Sequence, residues 1–117
     1  MSKLLIVDDE SDIREFARNF FRKRGIEVFV AASGREGLAL IISESPDLVL
    51  LDIRMAEMGG LAVLEELKKI NDRTRVIVVS GTEDAKTVEE AKALGAVNFI
   101  HKPLILDELE KIVLAEL

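Results

Sequence analysis

Five short apolar runs, each followed by a stretch whose apolar residues recur at helical spacing, constrain this chain more than any other feature. The runs are Leu4 to Val7, Val28 to Ala31, Leu48 to Leu51, Val76 to Val79 and Asn98 to Ile100. The third and fourth show no polar alternation, as strands buried on both faces do. After the first run, Ile13, Phe16, Ala17, Phe20 and Phe21 mark one face of a helix that ends near Gly25. Ser33-Gly34-Arg35-Glu36 has capping-box spacing and opens a second helix containing Leu38, Ile41 and Ile42, which stops before Pro46. Leu61, Val63, Leu64, Leu67 and Ile70 predict a third helix. Val88, Ala91 and Leu94 predict a fourth, closed by Gly95, and Leu106, Leu109, Ile112 and Val113 a fifth. The order βαβαβαβαβα implies an α/β fold with a parallel sheet and helices on both faces. Five strands suit a doubly wound sheet of order 2-1-3-4-5.

A chain of 117 residues fits one domain, expected over 1–117, without a linker, repeat or output domain. With 49% hydrophobic and 32% charged residues it reads as soluble and globular. There is no cysteine, which excludes thiol chemistry and suits a cytoplasmic location. The net charge of −6, without a Lys/Arg cluster, argues against direct nucleic-acid binding. No apolar run approaches the ~18 residues of a membrane span. The first run is stopped by two aspartates, so it is not a signal peptide.

In doubly wound sheets ligands bind outside the carboxyl ends of the strands. Asp8, Asp9 and Glu10 follow the first predicted strand, and Asp52 follows the third. Ser80, Gly81 and Thr82 follow the fourth, and His101, Lys102 and Pro103 the fifth. The strand order brings three aspartates, a hydroxyl and a lysine to one edge. Close carboxylates repel, and either protonation or a hard divalent cation relieves them. Mg²⁺ takes one or two carboxylates and completes its shell with water and phosphate oxygens. A lysine and a serine can serve further phosphate oxygens. Such a site can stabilise a phosphoryl group in transfer, and a carboxylate can accept it covalently. The residues alone do not say which aspartate would be the acceptor. Glu10 reads as first-turn helix charge, and His101 as an exposed neighbour of the site.

Taken in order and at their spacing, Leu5-Ile6-Val7-Asp8-Asp9-Glu10, Asp47 through Leu51-Asp52 to Met55, Val78-Val79-Ser80-Gly81, and Gly95-Ala96 through Phe99 to Lys102-Pro103 resemble the receiver domains of two-component response regulators. The resemblance implies a flavodoxin-like (βα)5 fold and a CheY-like signalling role rather than an enzyme. It implies that Asp52 is the phosphoacceptor, served by a sensor histidine kinase or phosphotransfer protein. Asp9 and Asp52 would ligate Mg²⁺, with Asp8 acting through water and the Arg54 carbonyl adding a ligand. Lys102 would pair with the phosphoryl group, and its bond to Pro103 would be cis. Ser80 and Phe99 would form a switch that reshapes the surface of the fourth helix, fifth strand and fifth helix for a downstream partner.

Two departures stand out. Ala56 replaces the family's usual proline, and Gly59 an aspartate common there; both are expected to loosen the loop after Asp52. Arg54 and Thr82 stand where the family tunes dephosphorylation. Other phosphate chemistries fit less well. The Asp8-Asp9-Glu10-Ser11 segment lacks the spacing of haloacid-dehalogenase-type phosphatases, and neither G-x-x-x-x-G-K nor G-x-G-x-x-G occurs. The remaining alternative is an interaction module of the same fold that works without phosphorylation.

Overall fold

The computed structural model describes residues 2–55, 58–70, 73–81 and 85–117. β1 (Lys3–Val7), β2 (Glu27–Ala31), β3 (Leu48–Asp52), β4 (Arg75–Ser80) and β5 (Asn98–His101) alternate with α1 (Ser11–Arg22), α2 (Gly34–Glu44), α3 (Gly60–Lys69), α4 (Ala85–Ala93) and α5 (Leu106–Glu116). All strand pairs are parallel, and the sheet order is β2-β1-β3-β4-β5.

The unbroken apolar runs follow from two cores, one on each side of the sheet. Leu4 and Ile6, Leu48 and Leu50, Ile77 and Val79, and Ile100 face α1 and α5, against Ala17, Phe21, Leu109 and Val113. The alternate residues, Leu5 and Val7, Val49 and Leu51, Val76 and Val78, face α2, α3 and α4, against Ile41, Val63, Leu64, Leu67 and Ala91. A period-two backbone with both faces covered confines polar residues of β3 and β4 to the strand ends, Asp52 in β3 and Arg75 and Ser80 in β4.

The helix ends carry the expected signals. Ser33 Oγ accepts the Glu36 amide at 3.2 Å and caps α2. Gly95 stands at φ 102° just beyond α4, a left-handed conformation that a Cβ would disfavour. The apolar stripe of α1 is wider than the sheet can cover. Ala17 and Phe21 are buried, whereas Phe16, expected on the same face, is 40% exposed. Ile42 and Ile70 likewise lie outside the core.

Candidate functional site

Strand ends set the site. Three of them reach one residue further than the apolar runs suggest. Asp52, Ser80 and His101 close their strands rather than follow them, because ladder pairing continues through Asp52 with Val79 and Ser80 with His101. Parity then assigns the side chains. Asp8 continues the face of Leu4 and Ile6, Asp52 that of Leu48 and Leu50, and Lys102 that of Ile100. Those three therefore meet on the α1/α5 side. Phe99 packs with the opposite core, and Ser80 and His101 fall in its half of the alternation.

Lys102 stands at the centre of the acidic group. Its Nζ lies 3.2 Å from Asp52 Oδ2, 3.2 Å from Glu10 Oε1 and 3.6 Å from Asp8 Oδ2. Asp8 and Asp52 are buried at 2% and 3% exposure, whereas Asp9 is exposed. Asp8 Oδ1 accepts the Glu10 amide at 2.9 Å, and Asp52 Oδ1 accepts the Arg54 amide at 3.1 Å. Each aspartate thus fixes the first turn of the loop that follows it. Arg14 Nη1 donates to the Asp8 carbonyl at 2.7 Å, holding that loop from outside. The Lys102–Pro103 peptide is cis, as the resemblance implied.

Burial pushes the Asp8 carboxyl up to about 6, aided by the charge of Asp52. The Glu10 amide and Lys102 oppose the rise without cancelling it. Burial also pulls the Lys102 ammonium down, but the charges of Asp8 and Asp52 outweigh it and leave the pKa raised. One ammonium among Asp8, Asp9, Glu10 and Asp52 leaves negative charge uncompensated. Carboxylate oxygens of Asp8, Asp9 and Glu10 come within 4.8 Å of one another, a donor set that a hard divalent cation fits. Asp52 is not part of that group and is linked to it through Lys102.

Glu10 is the residue whose role the sequence did not disclose. It occupies the N-cap position of α1 but makes no side-chain cap bond, and its carboxylate turns to Lys102 instead. His101 is exposed, as expected, yet its Nδ1 lies 3.3 Å from the Oγ of Ser80, which is 1% exposed. Phe99 is half-buried, with the Lys92 ammonium 5.7 Å from its ring centroid.

Gly60, the glycine that opens α3, is fixed by its surroundings. Its amide donates to the Ile53 carbonyl at 3.0 Å, and a Cβ there would lie 2.7 Å from Ile53 Cα and 2.9 Å from the Asp52 carbonyl oxygen. The backbone of α3 therefore closes on the end of β3, and only a glycine permits that approach. Gly59 has no such constraint: a Cβ there would meet the Ile53 carbonyl oxygen at 3.4 Å, an ordinary contact. Ala56 and Thr82 lie outside the described residues.

Beside Lys102, a groove runs between α1 and the segment after β5, lined by Ile13, Phe16, Pro103 and Leu104, with Glu10 and Asp12 at its rim. Among the described residues no helix is long and apolar enough to cross a membrane.

Known proteins resemble this chain in sequence and in fold. The family model described as response regulator receiver domain matches residues 4–114. Sporulation initiation phosphotransferase F of Bacillus subtilis (strain 168) is 38% identical over 107 residues, covering 92% of this chain and 86% of that protein. Regulatory protein AtoC of Escherichia coli (strain K12) is 40% identical over 113 residues, 97% of this chain, but the chain spans only 24% of its length. Among solved structures, Vibrio cholerae chemotaxis protein CheY4 superposes with a TM-score of 0.91 at 30% identity, covering 100% of this chain and 99% of that one. A CheY-like receiver domain from Methanospirillum hungatei JF-1 gives 0.90 at 33% identity, over 99% and 94%. With a parallel sheet of order 2-1-3-4-5 and the family model matched over residues 4–114, this chain belongs to the response regulator receiver domains of two-component systems.

Proposed function

We propose that this chain accepts a phosphoryl group on Asp52 in a Mg²⁺-dependent reaction and signals through the change that follows. The observation that carries this reading is the buried Asp52 carboxylate held by Lys102 beside an acidic group with charge to spare. In the transfer, an Asp52 carboxylate oxygen attacks phosphorus, and the P–N bond to a phosphohistidine breaks. The histidine nitrogen leaves with the electron pair. Lys102, already 3.2 Å from Asp52, meets the negative charge delivered there. Asp9 and Asp52, with the Arg54 carbonyl, would hold Mg²⁺, and Asp8 would act through bound water. The cation would supply charge neutralisation for the transferring phosphoryl oxygens. Ser80 would then donate to a phosphoryl oxygen, and Phe99 would move with it.

The donor would be a sensor histidine kinase or a phosphotransfer protein in the cytoplasm. The groove of Ile13, Phe16, Pro103 and Leu104 supports a docked protein donor, because it adjoins Lys102 and exposes an aromatic ring. The downstream partner would read the side of the sheet that carries Ser80 and Phe99.

Incubation with acetyl phosphate and Mg²⁺, followed by intact-mass measurement, tests the reading. The wild type is expected to gain one phosphoryl group, and Asp52→Asn none. An unlabelled wild type, alongside a receiver that labels under the same conditions, would favour an interaction module that works without phosphorylation. Label that survives Asp52→Asn would move the acceptor elsewhere.

A further inference from the structure

Ser80 closes β4, His101 closes β5, and the two are partners in the ladder. The Ser80 hydroxyl is sealed, with the residue 1% exposed, so its proton needs an acceptor within the protein. His101 Nδ1 lies 3.3 Å from it, on a residue that is itself exposed. A neutral imidazole carries one N–H and one lone pair. The tautomer protonated at Nε2 satisfies both groups: the sealed hydroxyl donates to Nδ1, and water serves the exposed edge of the ring.

We propose that His101 is a latch on Ser80: its Nδ1 holds the hydroxyl proton in the unphosphorylated chain, and Ser80 must leave it to donate to a phosphoryl oxygen on Asp52. The inference rests on the phosphoacceptor reading above. Ser80 has one proton to donate, so the bond to His101 and the bond to a phosphoryl oxygen exclude each other. His101 is a positioning residue, acting through Ser80 from the side of the sheet away from Lys102. Its effect is to favour the unphosphorylated arrangement. Removing one ordinary hydrogen bond of this kind shifts an equilibrium by about fivefold.

The test is the affinity for beryllofluoride, a phosphoryl mimic, with saturating Mg²⁺. The chain has no Trp or Tyr, so calorimetry is the suitable readout. His101→Val is expected to bind about fivefold more tightly than the wild type. His101→Asn, whose amide places a polar atom near the position of Nδ1, is expected to stay close to the wild type. On a Ser80→Ala background, His101→Val is expected to change nothing. Equal or weaker binding by His101→Val overturns the latch. So does an equal gain on the Ser80→Ala background, or a gain in His101→Asn as large as in His101→Val. A wild type that binds no beryllofluoride overturns the phosphoacceptor reading itself, a separate result. Nitrogen NMR of the wild-type ring gives a check that needs no variant. An unprotonated Nδ1 in the free chain supports the latch, and a neutral ring protonated at Nδ1 overturns it.

Discussion

Asp8→Asn should make the metal-free protein more stable, although it removes a charge from a site built of charges. The Asp8 carboxyl is raised from its ordinary 3.8 to about 6, chiefly by burial. Between those values the native chain keeps a proton that the unfolded chain has released. Stability therefore falls as pH rises through that window, and the full penalty is present by pH 7. At about 1.4 kcal/mol per tenfold change in proton affinity, the ceiling is about 3 kcal/mol at pH 7.5 and roughly 1.5 kcal/mol at pH 5. Asparagine keeps an oxygen for the Glu10 amide, and Lys102 keeps Asp52 and Glu10. Little is lost to set against the gain. Urea denaturation followed by circular dichroism, in EDTA, measures the difference. With an m-value of about 1.5 kcal/mol/M, the midpoint should rise by up to about 2 M at pH 7.5 and by about half that at pH 5. Saturating Mg²⁺ should narrow the gap by stabilising the wild type selectively. A variant no more stable than the wild type at pH 7.5, or one whose gain is the same at both pH values, would refute the electrostatic reasoning.

Other substitutions separate the remaining contributions. Lys102→Ala leaves Asp8 and Asp52 buried without their cation, and is expected to lower metal-free stability at pH 7.5 by about 1–3 kcal/mol, below the cost for a fully buried pair because Lys102 is 21% exposed; the loss should shrink at pH 5 in the same urea experiment. Gly60→Ala forces a Cβ against the Ile53 and Asp52 backbone and should destabilise by about 1–3 kcal/mol. Gly59→Ala, at the N-cap of α3 with φ −73°, gains from a stiffer unfolded chain but loses a residue type preferred at a helix cap, so it should stay within about 0.5 kcal/mol of the wild type and its thermal melt should move far less than that of Gly60→Ala. Phe16→Ala should leave labelling by acetyl phosphate unchanged while slowing transfer from a phosphohistidine protein at least about tenfold, as loss of an aromatic anchor does; equal effects on both donors would remove the groove from the docking account.

The sheet order, both cores and the convergence of Asp8, Asp52 and Lys102 were legible in the sequence because each depends on periodicity. Apolar runs locate the strands, a period of two assigns the faces, and the crossover rules order the sheet. What stayed hidden depends on distances across elements. Glu10 looks like helix-start charge until Lys102, far along the chain, is seen to reach it. The contact of Ser80 with His101 depends on how far β5 slides along β4, and no apolar pattern fixes that register. Phe16 fits the helical stripe of α1, but the stripe does not reveal how much of it the sheet covers. Gly59 reads in the sequence as a loosening departure, whereas the close backbone approach that requires a glycine at its neighbour, Gly60, shows in no sequence pattern.

The sheet also acts as a partition one strand thick. Lys102, Asp8 and Asp52 meet on the flank of α1 and α5, while Phe99 lies on the flank of α4, with Ser80 and His101 on the same alternation. A donor seated along α1 would leave α4 uncovered. Delivery of a phosphoryl group and departure of the resulting message would then use different doors, so one partner need not dissociate before the next arrives. Among the described residues, the strand ends are the parts that reach both sides of the partition, and their few atoms would set how tightly the two sides are coupled.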